Sequence, residues 1–377
     1  MNILVPNLGS TSLKYQILSL PGEAVLAQGR LERVSDYGQA IRQIPTEEHR
    51  VDAVAFKAVH GGPEFRGTHL VDARVMAALE QFLPAAPAHN AIYLAGIQAF
   101  QKAMPEAKLV AAFETEFHAT IPEQAWRYGV PLDWLRQGVR KYGFHGASHQ
   151  FVSGRVPELL GRAAEGLRLV SCHLGGSSSL CAIRDGLSVE TTMGFSPQSG
   201  LENATRHGDL DVWAVLYMME RHGWQLQEVG RQLIRTGGLA GLSGVEGGDV
   251  RDLESAAASG NRDAAMALAV FVHQIRKTIG AYAAVLSGLD AIAFTGGIGE
   301  NSASLRSAVC SGLEFLGVEI DEKANQKGHG NRLVSASSSR VNVVALSTNE
   351  ELVVARRSYR LLTAAPAVRP GTFSTLS

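Results

Sequence analysis

A short polar turn occurs twice in the chain, and this repeat constrains the fold more than any other feature. Asn7-Leu8-Gly9-Ser10-Thr11-Ser12 aligns without a gap on His173-Leu174-Gly175-Gly176-Ser177-Ser178. Each copy lies between extended runs. Asn2 to Pro6 is apolar before the first turn, Ser12 to Leu18 resumes a strand pattern after it, and Pro21-Gly22 turns the chain into Ala24 to Leu31. Leu167 to Cys172 precedes the second turn, Ser178 to Ile183 follows it, and Asp185-Gly186 opens another. Gly and Ser are common in turns, so the turn alone is modest evidence. The matching flanks make it an internal duplication of a strand–polar turn–strand unit. Two such units predict two similar domains facing one another across a cleft, and a length of 377 residues favours two domains over one.

Helical patterns follow each meander. Asn90 reads as the N-cap of a helix over Ala91 to Met104, with a weak apolar stripe of Ile92, Ala95, Ala99 and Ala103. The strongest helix runs from about Asp263 to Ser287, where Leu268, Val272, Ile275, Ile279, Ala283 and Leu286 recur at three- and four-residue steps and Gly288 closes it. A strand over Leu289 to Thr295, a Gly296-Gly297-Ile298-Gly299 turn and a helix from about Ser302 come next. A glycine turn from strand to helix is where an α/β sheet places a phosphate or nucleotide. It is not a dinucleotide fingerprint, because no glycine stands three residues after Gly299. The last dozen residues, with Pro366 and Pro370, read as a frayed tail.

Formal net charge is −1 with both signs mixed along the chain, so no basic field calls for nucleic acid or an anionic membrane. No run of about 18 apolar residues marks a transmembrane helix, and no signal peptide is visible. Cys172, Cys181 and Cys310 lack metal-ligand spacing and fit no disulfide framework. The first two fall in expected strands as small core residues. A reducing, cytoplasmic setting is the simplest expectation.

Ten motifs then follow in order. They are Asn7-Leu8-Gly9-Ser10-Thr11-Ser12-Leu13-Lys14, Val59-His60-Gly61-Gly62, His89-Asn90, Tyr142-Gly143-Phe144-His145-Gly146, His173-Leu174-Gly175, Met193-Gly194-Phe195, Thr205-Arg206-His207-Gly208-Asp209, Asp249-Val250-Arg251-Asp252, Gly297-Ile298-Gly299-Glu300-Asn301-Ser302 and Thr348-Asn349-Glu350-Glu351. Through them the sequence resembles the acetate kinase family from Asn7 to Glu351. The resemblance implies an α/β protein with the two-lobed, duplicated ribonuclease H-like fold of the acetate and sugar kinase, heat-shock ATPase and actin superfamily. It implies an N-terminal lobe of residues 1–114 plus 351–377, and a C-terminal lobe of 115–350 carrying most of the nucleotide site. A homodimer, Mg²⁺, and ATP as co-substrate are implied with it. The implied activity is reversible, ATP-dependent phosphorylation of a short-chain carboxylate to an acyl phosphate by direct in-line transfer.

Such a transfer needs little covalent help, because the acceptor oxygen is already a nucleophile. Catalysis then rests on positioning and on neutralising charge. Arg206, in a polar turn, has the planar fork to hold two phosphoryl oxygens, although a surface salt bridge with Asp209 is the plainer reading. His145, between an aromatic residue and a glycine, can donate to the developing charge, although a lone His is more often a satisfied core residue. Ser10, Ser12 and Lys14 can hold phosphates or form an ordinary hairpin with a surface lysine. By resemblance, Glu114 is catalytic or orients the substrate. Asn7 and Glu350 hold the magnesium, with Glu350 otherwise a simple helix cap. Asp249, Val250, Arg251, Gly297, Ile298, Gly299, Glu300 and Asn301 bind nucleotide, with His173, Leu174, Gly175, Gly176 and Ser177 toward its phosphates. Lys57, Val59, Ala88, Phe144 and Pro197 receive the acid. His60, His89, His118 and His149 also match the family, and read as structural hydrogen-bonders.

Six residues depart from the family pattern. Lys57 stands for an arginine that grips the carboxylate and lacks its bidentate fork. Glu114 stands for an aspartate, and Gly176-Ser177 for Asn-Gly. Ala204 stands for a glycine, and Ala88 for a pocket-lining leucine. The acyl pocket is therefore expected to be roomier than an acetate-specific one, unless Phe56 or Tyr93 fills the space. Two readings remain open: an active acyl kinase, or a non-catalytic or regulatory relative that binds nucleotide. A sugar acceptor would need a base such as Glu114 and lacks its own motifs here.

Overall fold

The computed structural model describes residues 1–9, 11–328 and 330–364, and only the backbone of Ala88. Ser10, the side chain of Ala88 and the tail around Pro366 and Pro370 therefore lie outside the described residues.

Strands β1 (Asn2–Gly9), β2 (Ser12–Ser19), β3 (Ala24–Glu32), β4 (Ala53–Ala58), β5 (Thr68–Leu70) and β6 (Lys108–Phe113) form one sheet in the order β3-β2-β1-β4-β6-β5. Strands β7 (Arg168–His173), β8 (Ser179–Arg184), β9 (Leu187–Thr191), β10 (Ala291–Thr295), β11 (Arg332–Leu333) and β12 (Asn342–Ala345) form a second, in the order β9-β8-β7-β10-β12-β11. Adding six to every strand number converts the first order into the second. The pairing sense matches as well: an antiparallel meander, a parallel centre and an antiparallel edge strand in each. The duplication thus extends over both whole sheets, and the fold is the two-lobed, duplicated α/β architecture. Central strands such as β4 and β10 are covered on both faces. Ala53-Val54-Ala55-Phe56 and Ala291 to Thr295 are accordingly continuous buried runs rather than alternating ones.

The two repeated turns are not the same shape. β1 and β2 stay paired out to Gly9 and Ser12, so Asn7, Leu8 and Gly9, expected in the turn, are strand. The second hairpin parts after His173 pairs with Ser179, which leaves residues 174–178 as a free loop. That loop carries Gly175 and Gly176, which line the cavity described below.

Helices position the rest: α1 (Pro87–Ala103), α2 (Gly146–Leu160), α3 (Val212–His222), α4 (Leu226–Arg235), α5 (Val250–Ala258), α6 (Arg262–Val285), α7 (Gly296–Asn301) and α8 (Glu350–Thr363). α1 corrects the sequence reading. It starts at Pro87, whose missing N–H costs nothing in a first turn, and Asn90 lies inside it. The buried Asn90 side chain is not a cap: Nδ2 donates to His60 O and Leu79 O, both at 2.9 Å, and Oδ1 accepts from His60 N at 3.3 Å. α6 lies where its periodicity places it. Ala264, Ala267, Phe271, Ile275, Ile279 and Tyr282 are buried, while Leu268 and Val272 flank that stripe half-buried. The Gly296 turn proves to be a short helix leaving β10 directly, and Ser302 caps the helix after it, accepting from Leu305 N at 3.2 Å.

α8 returns to the first sheet, burying Val353, Val354 and Ala355 against Ile3, Val5, Ala53, Ala55 and Val110. α2 covers the second sheet, with Val152 and Val156 against Leu169, Ala291 and Val344. The two helices also pack on each other, and Phe151 of α2 joins both cores. Their N-terminal ends, Glu350 and His145, are brought to the space between the sheets. The three cysteines are free and buried.

Candidate active site

Lys57, near the end of β4, donates from Nζ to Glu350 Oε2 at 2.5 Å. Burial works against the lysine's charge, yet the carboxylates of Glu350 and Glu114 hold its pKa well above the ordinary value. Glu350 is likewise penalised by burial, but Lys57 and His173 keep it ionised below its usual range. Asn349 caps α8 by accepting from Leu352 N at 3.0 Å, so Glu350 is not spent as the cap and its carboxylate is free to reach Lys57. Beside it, Glu351 Oε1 accepts from Asn7 Nδ2 at 3.4 Å, drawing the end of β1 to the same helix terminus.

Glu114 follows β6 and is 4% exposed, and neither carboxyl oxygen has a hydrogen-bond partner among the described residues. Burial pushes its pKa up to about 7, against the pull of Lys57 and Arg357. An orphaned buried acid is costly, and such groups cluster where a ligand completes them. Its backbone is fixed tightly: Gly146 N donates to Glu114 O at 3.1 Å, and a Cβ on Gly146 would stand 2.0 Å from that oxygen, so only glycine fits.

One residue earlier, His145 adopts a left-handed backbone, φ 57°, as the N-cap of α2. That conformation is uncommon for a side-chain-bearing residue and is found where geometry is imposed for a purpose. The ring is half-buried and stacked on His173, with centroids 4.3 Å apart. Burial, and then the nearby rings of His173 and His149 and the charges of Arg206 and Lys57, hold His145 well below the ordinary histidine pKa. Neutral His145 is a hydrogen-bond donor or acceptor, not a cation.

Arg206 lies in the loop before α3. Its Nη1 donates to Pro197 O at 3.0 Å, and no carboxylate pairs with it among the described residues. Asp209 instead accepts from Gly200 N at 2.7 Å, so the surface salt bridge does not form. Burial lowers the Arg206 pKa to about 10, which leaves it charged at neutral pH. The charges of Arg206 and Lys57 also act together on His89, which burial already pulls down to about 4. Two cations, an orphaned acid, an ionised glutamate and a neutral imidazole thus share one site.

Val59, Phe144 and Pro197 are buried beside it, the first two in one apolar core with Tyr93. The Tyr93 hydroxyl, which burial pushes up to about 12, feels Lys57, Glu114, Glu350 and Glu351. Phe56, by contrast, is fully buried and packs edge-on against Phe100 at 5.5 Å.

A cavity of about 480 Å³ opens against the second sheet. Gly175, Gly176, Asp249, Val250, Arg251, Gly297, Ile298 and Asn301 line it, together with Gly248, Glu254 and Ser302, which the sequence reading missed. Arg251 is held across α5's start by Asp249, with Nη2 2.7 Å from Oδ2. Gly248 has φ 62°, and a Cβ there would meet Ala204 O at 2.1 Å. Ala204 itself keeps an ordinary backbone, donates to Gly176 O at 3.0 Å, and needs no glycine. The remaining expected nucleotide residues lie elsewhere. Leu174 is core, and its carbonyl accepts from Ile298 N and Gly299 N at 2.9 and 3.1 Å. Glu300 accepts from the Ser347 hydroxyl. Ser177 is half-buried without lining the cavity. His173 lies toward Glu350 and Lys57. Ser12 is half-buried, and Lys14 is exposed on the first sheet in a groove shared with Glu351.

A model of the acetokinase family matches residues 37–356 of this sequence. The chain belongs to the acetokinase family. Among its members, the acetate kinase of Desulfitobacterium hafniense is 42% identical over 390 residues, covering 94% of this chain and 98% of the relative. The propionate kinase of Escherichia fergusonii is 41% identical over 399 residues, covering 97% and 98%. The crystal structure of Porphyromonas gingivalis acetate kinase superposes with a TM-score of 0.85 at 34% identity, covering 96% of this chain and 99% of that one. The acetokinase chain described here therefore has the family's sequence over residues 37–356 and the fold of its members over 96% of its length.

Proposed function

We propose that this chain transfers the γ-phosphoryl group of ATP to the carboxylate of a short-chain acid, acetate or propionate, giving ADP and an acyl phosphate reversibly. The observation that carries the reading is the meeting of Lys57, Glu114, Glu350, Arg206 and His145 at one site. The similarity to both acetate and propionate kinases supports it.

The acid's carboxylate oxygen forms the new bond to the γ-phosphorus while the bond to the bridging oxygen of ADP breaks, so no proton need move in the transfer. Lys57 and the protonated form of the Glu114 carboxyl hold the acid. Its alkyl group lies toward Val59, Phe144 and Pro197, with Ala88 assigned there on resemblance alone. Arg206, paired with no carboxylate among the described residues, spreads its fork over the transferring group, and neutral His145 donates to the same charge. Ser10 and Ser12 of the first turn, with Lys14, are proposed for the phosphates on resemblance.

For a divalent ion, the donor set is Glu350 and the Asn7 amide oxygen, left unused when Asn7 Nδ2 turns to Glu351. Few protein oxygens suit Mg²⁺, which keeps most of its water, and such an ion would offset the charge on the β- and γ-phosphates. A catalytically idle relative is not favoured: a sealed, unpartnered Glu114 and an unpaired Arg206 are expensive unless a ligand uses them.

We further propose the lobe boundary at residue 114, with the described residues from 351 onward returning to the first lobe. The segment Phe117–Thr120 packs on β9, and α8 packs on the first sheet. A second copy of the chain is proposed to cover α3 and α4, whose Val212, Trp213, Leu216, Tyr217 and Leu226 are all exposed. Among the described residues no helix is long and apolar enough to cross a membrane, and the free cysteines suit a reducing cytoplasm. Phosphorus NMR of the protein with ATP, Mg²⁺ and acetate or propionate tests the activity. An acyl phosphate resonance that requires all three is expected, and its absence with both acids refutes the assignment.

A further inference from the structure

His145, Ser148 and His149 occupy positions i, i+3 and i+4 at the start of α2, so they share one face of that helix. Opposite them, Ser171 and His173 share one face of β7, and Ser179 is the first residue of β8. The two surfaces interlock through hydroxyl–imidazole bonds. Ser171 Oγ lies 2.9 Å from His149 Nδ1, His149 Nε2 lies 2.9 Å from Ser179 Oγ, and Ser179 Oγ lies 2.8 Å from His145 Nδ1. Ser171, Ser179 and His149 are all fully buried. Burial keeps His149, like His145, well below the ordinary histidine pKa, so each ring carries one proton and must choose which nitrogen bears it.

We propose that the buried series Ser171–His149–Ser179 fixes the tautomer of His145, keeping Nδ1 an acceptor and Nε2–H a donor aimed into the cleft. This rests on the reading of His145 as a donor to the transferring phosphoryl group.

Each serine hydroxyl has one proton and can accept twice. The series can therefore run in two directions, while a third arrangement, with Ser179 accepting from both rings, leaves its own buried O–H unmade among the described residues. In the first, Ser171 donates to His149 Nδ1, His149 Nε2–H donates to Ser179, and Ser179 donates to His145 Nδ1. Every buried proton is then used, and the one left over is on His145 Nε2, which makes no hydrogen bond among the described residues. In the second, His145 Nδ1–H starts the series and the Ser171 hydroxyl ends it. Ser171 Oγ has no other partner among the described residues, so a buried O–H would be left unmade, at a cost that an unused acceptor does not carry. The second direction also turns a lone pair of His145 toward the anionic phosphoryl group. The first direction is therefore selected twice, by burial and by substrate charge.

The neighbouring histidine strengthens the frame. His118 Nε2 donates to Phe144 O at 2.9 Å and its Nδ1 accepts from Ser188 Oγ at 2.9 Å, which anchors the peptide just before His145. His173, bonded through Nδ1 to Ser148 Oγ at 2.7 Å, stacks on the His145 ring and limits its rotation. His149, Ser179 and Ser171 are thus positioning residues: none reaches substrate, and each acts through His145.

The direct test is the imidazole nitrogen spectrum of the full-length protein labelled with ¹⁵N-histidine, assigned by His145→Gln. The proposal expects His145 Nδ1 in the unprotonated range and Nε2 in the protonated range. Protonated Nδ1 on His145 in the unmodified protein overturns the relay without recourse to any variant. Ser179→Ala should mix the two tautomers and lower kcat by about 10-fold or more, within the range of a lost donor to developing charge, while the KM for ATP stays within about twofold. Ser179→Thr keeps a hydroxyl and should restore the wild-type spectrum and most of kcat. A folded Ser179→Ala with unchanged nitrogen shifts and unchanged kcat overturns the proposal. The activity of His145→Gln is read separately. Retained turnover there removes His145 from catalysis, while the nitrogen shifts still decide the relay.

Discussion

Lys57 Nζ meets Glu350 Oε2 at 2.5 Å across 293 residues of sequence, joining the end of β4 to the first residue of α8. Lysine offers a point charge where the family has a planar fork, so in this chain one cation serves both the proposed metal ligand and the acid. Removing it leaves Glu350 charged and largely sealed. Lys57→Ala should destabilise the protein by about 3 kcal/mol or more and raise the KM for the acid at least about tenfold. Lys57→Arg should lower that KM where the wider head clears Glu114. Thermal melts and acid titrations of both variants decide it; an unchanged KM in Lys57→Ala places the carboxylate elsewhere.

Glu114 gives the pH signature. Its pKa rises from 4.5 unfolded to about 7 folded, chiefly through burial. A folded pKa that is raised means stability fully present below 4.5 and lost as pH climbs through 7. Glu114→Gln cannot ionise, so its melting temperature should gain on the wild type across that window. Acid binding should follow the same sign, because an ionised Glu114 repels a carboxylate. The wild-type KM for the acid should rise above pH 7, and Glu114→Gln should flatten the curve. Parallel KM profiles in the two proteins would show that Glu114 does not face the acid.

Gly176 stands where the family has asparagine, and a Cβ there meets nothing within 4 Å. A side chain can therefore leave the backbone there without a clash at its first carbon. Gly176→Asn should fold normally and lower the KM for ATP by about two- to tenfold, one hydrogen bond's net worth. A raised KM would show that the loop binds ATP through its backbone alone.

What the sequence disclosed, and what it hid, follows from the range of the interactions. The duplication was legible because turns and strands are local, and the repeat in strand order only enlarges what two six-residue segments announced. α6 was legible for the same reason, through its regular stripe. Asn90 was misread because a polar residue ahead of an apolar run resembles a cap, while its real partners, His60 and Leu79, are remote in sequence. Asn7 was placed in a turn because nothing local shows that β1 and β2 stay paired to Gly9. The polar neighbours of His145 carried a faint signal: His145-x-x-Ser148-His149 is a helical spacing and Ser171-x-His173 a strand spacing. Which strand faces which helix is a tertiary fact. Gly248 and Glu254 stand beside recognised motifs and Ser302 ends one, and adjacency alone brings them to the cavity.

The acyl pocket gives a substrate preference. Alanine at 88 in place of leucine removes about three methyl(ene) groups from the proposed lining beside Val59, Phe144 and Pro197, and each substrate CH₂ buried there is worth about 0.8 kcal/mol, or roughly fourfold. Propionate should be used at least as efficiently as acetate, and Ala88→Leu should return the preference to acetate. The check is kcat/KM for acetate, propionate and butyrate in both proteins. A clear acetate preference untouched by Ala88→Leu would mean that a neighbour such as Tyr93 fills the space.

The central claim is that the site formed between the sheets transfers phosphoryl groups to an acid and does not merely hold nucleotide. Arg206, whose one side-chain partner among the described residues is Pro197 O, is the residue on which this turns. The measurement is trapping of the acyl phosphate as its hydroxamate, with ATP, Mg²⁺ and a panel of short fatty acids, alongside ATP binding to the same preparations. The account predicts hydroxamate from the wild type. For Arg206→Ala it predicts ATP binding nearly intact and turnover lowered by about 2–4 kcal/mol of transition-state stabilisation. Wild-type protein that binds ATP and yields no hydroxamate from any acid, or Arg206→Ala with near-normal turnover, would contradict it.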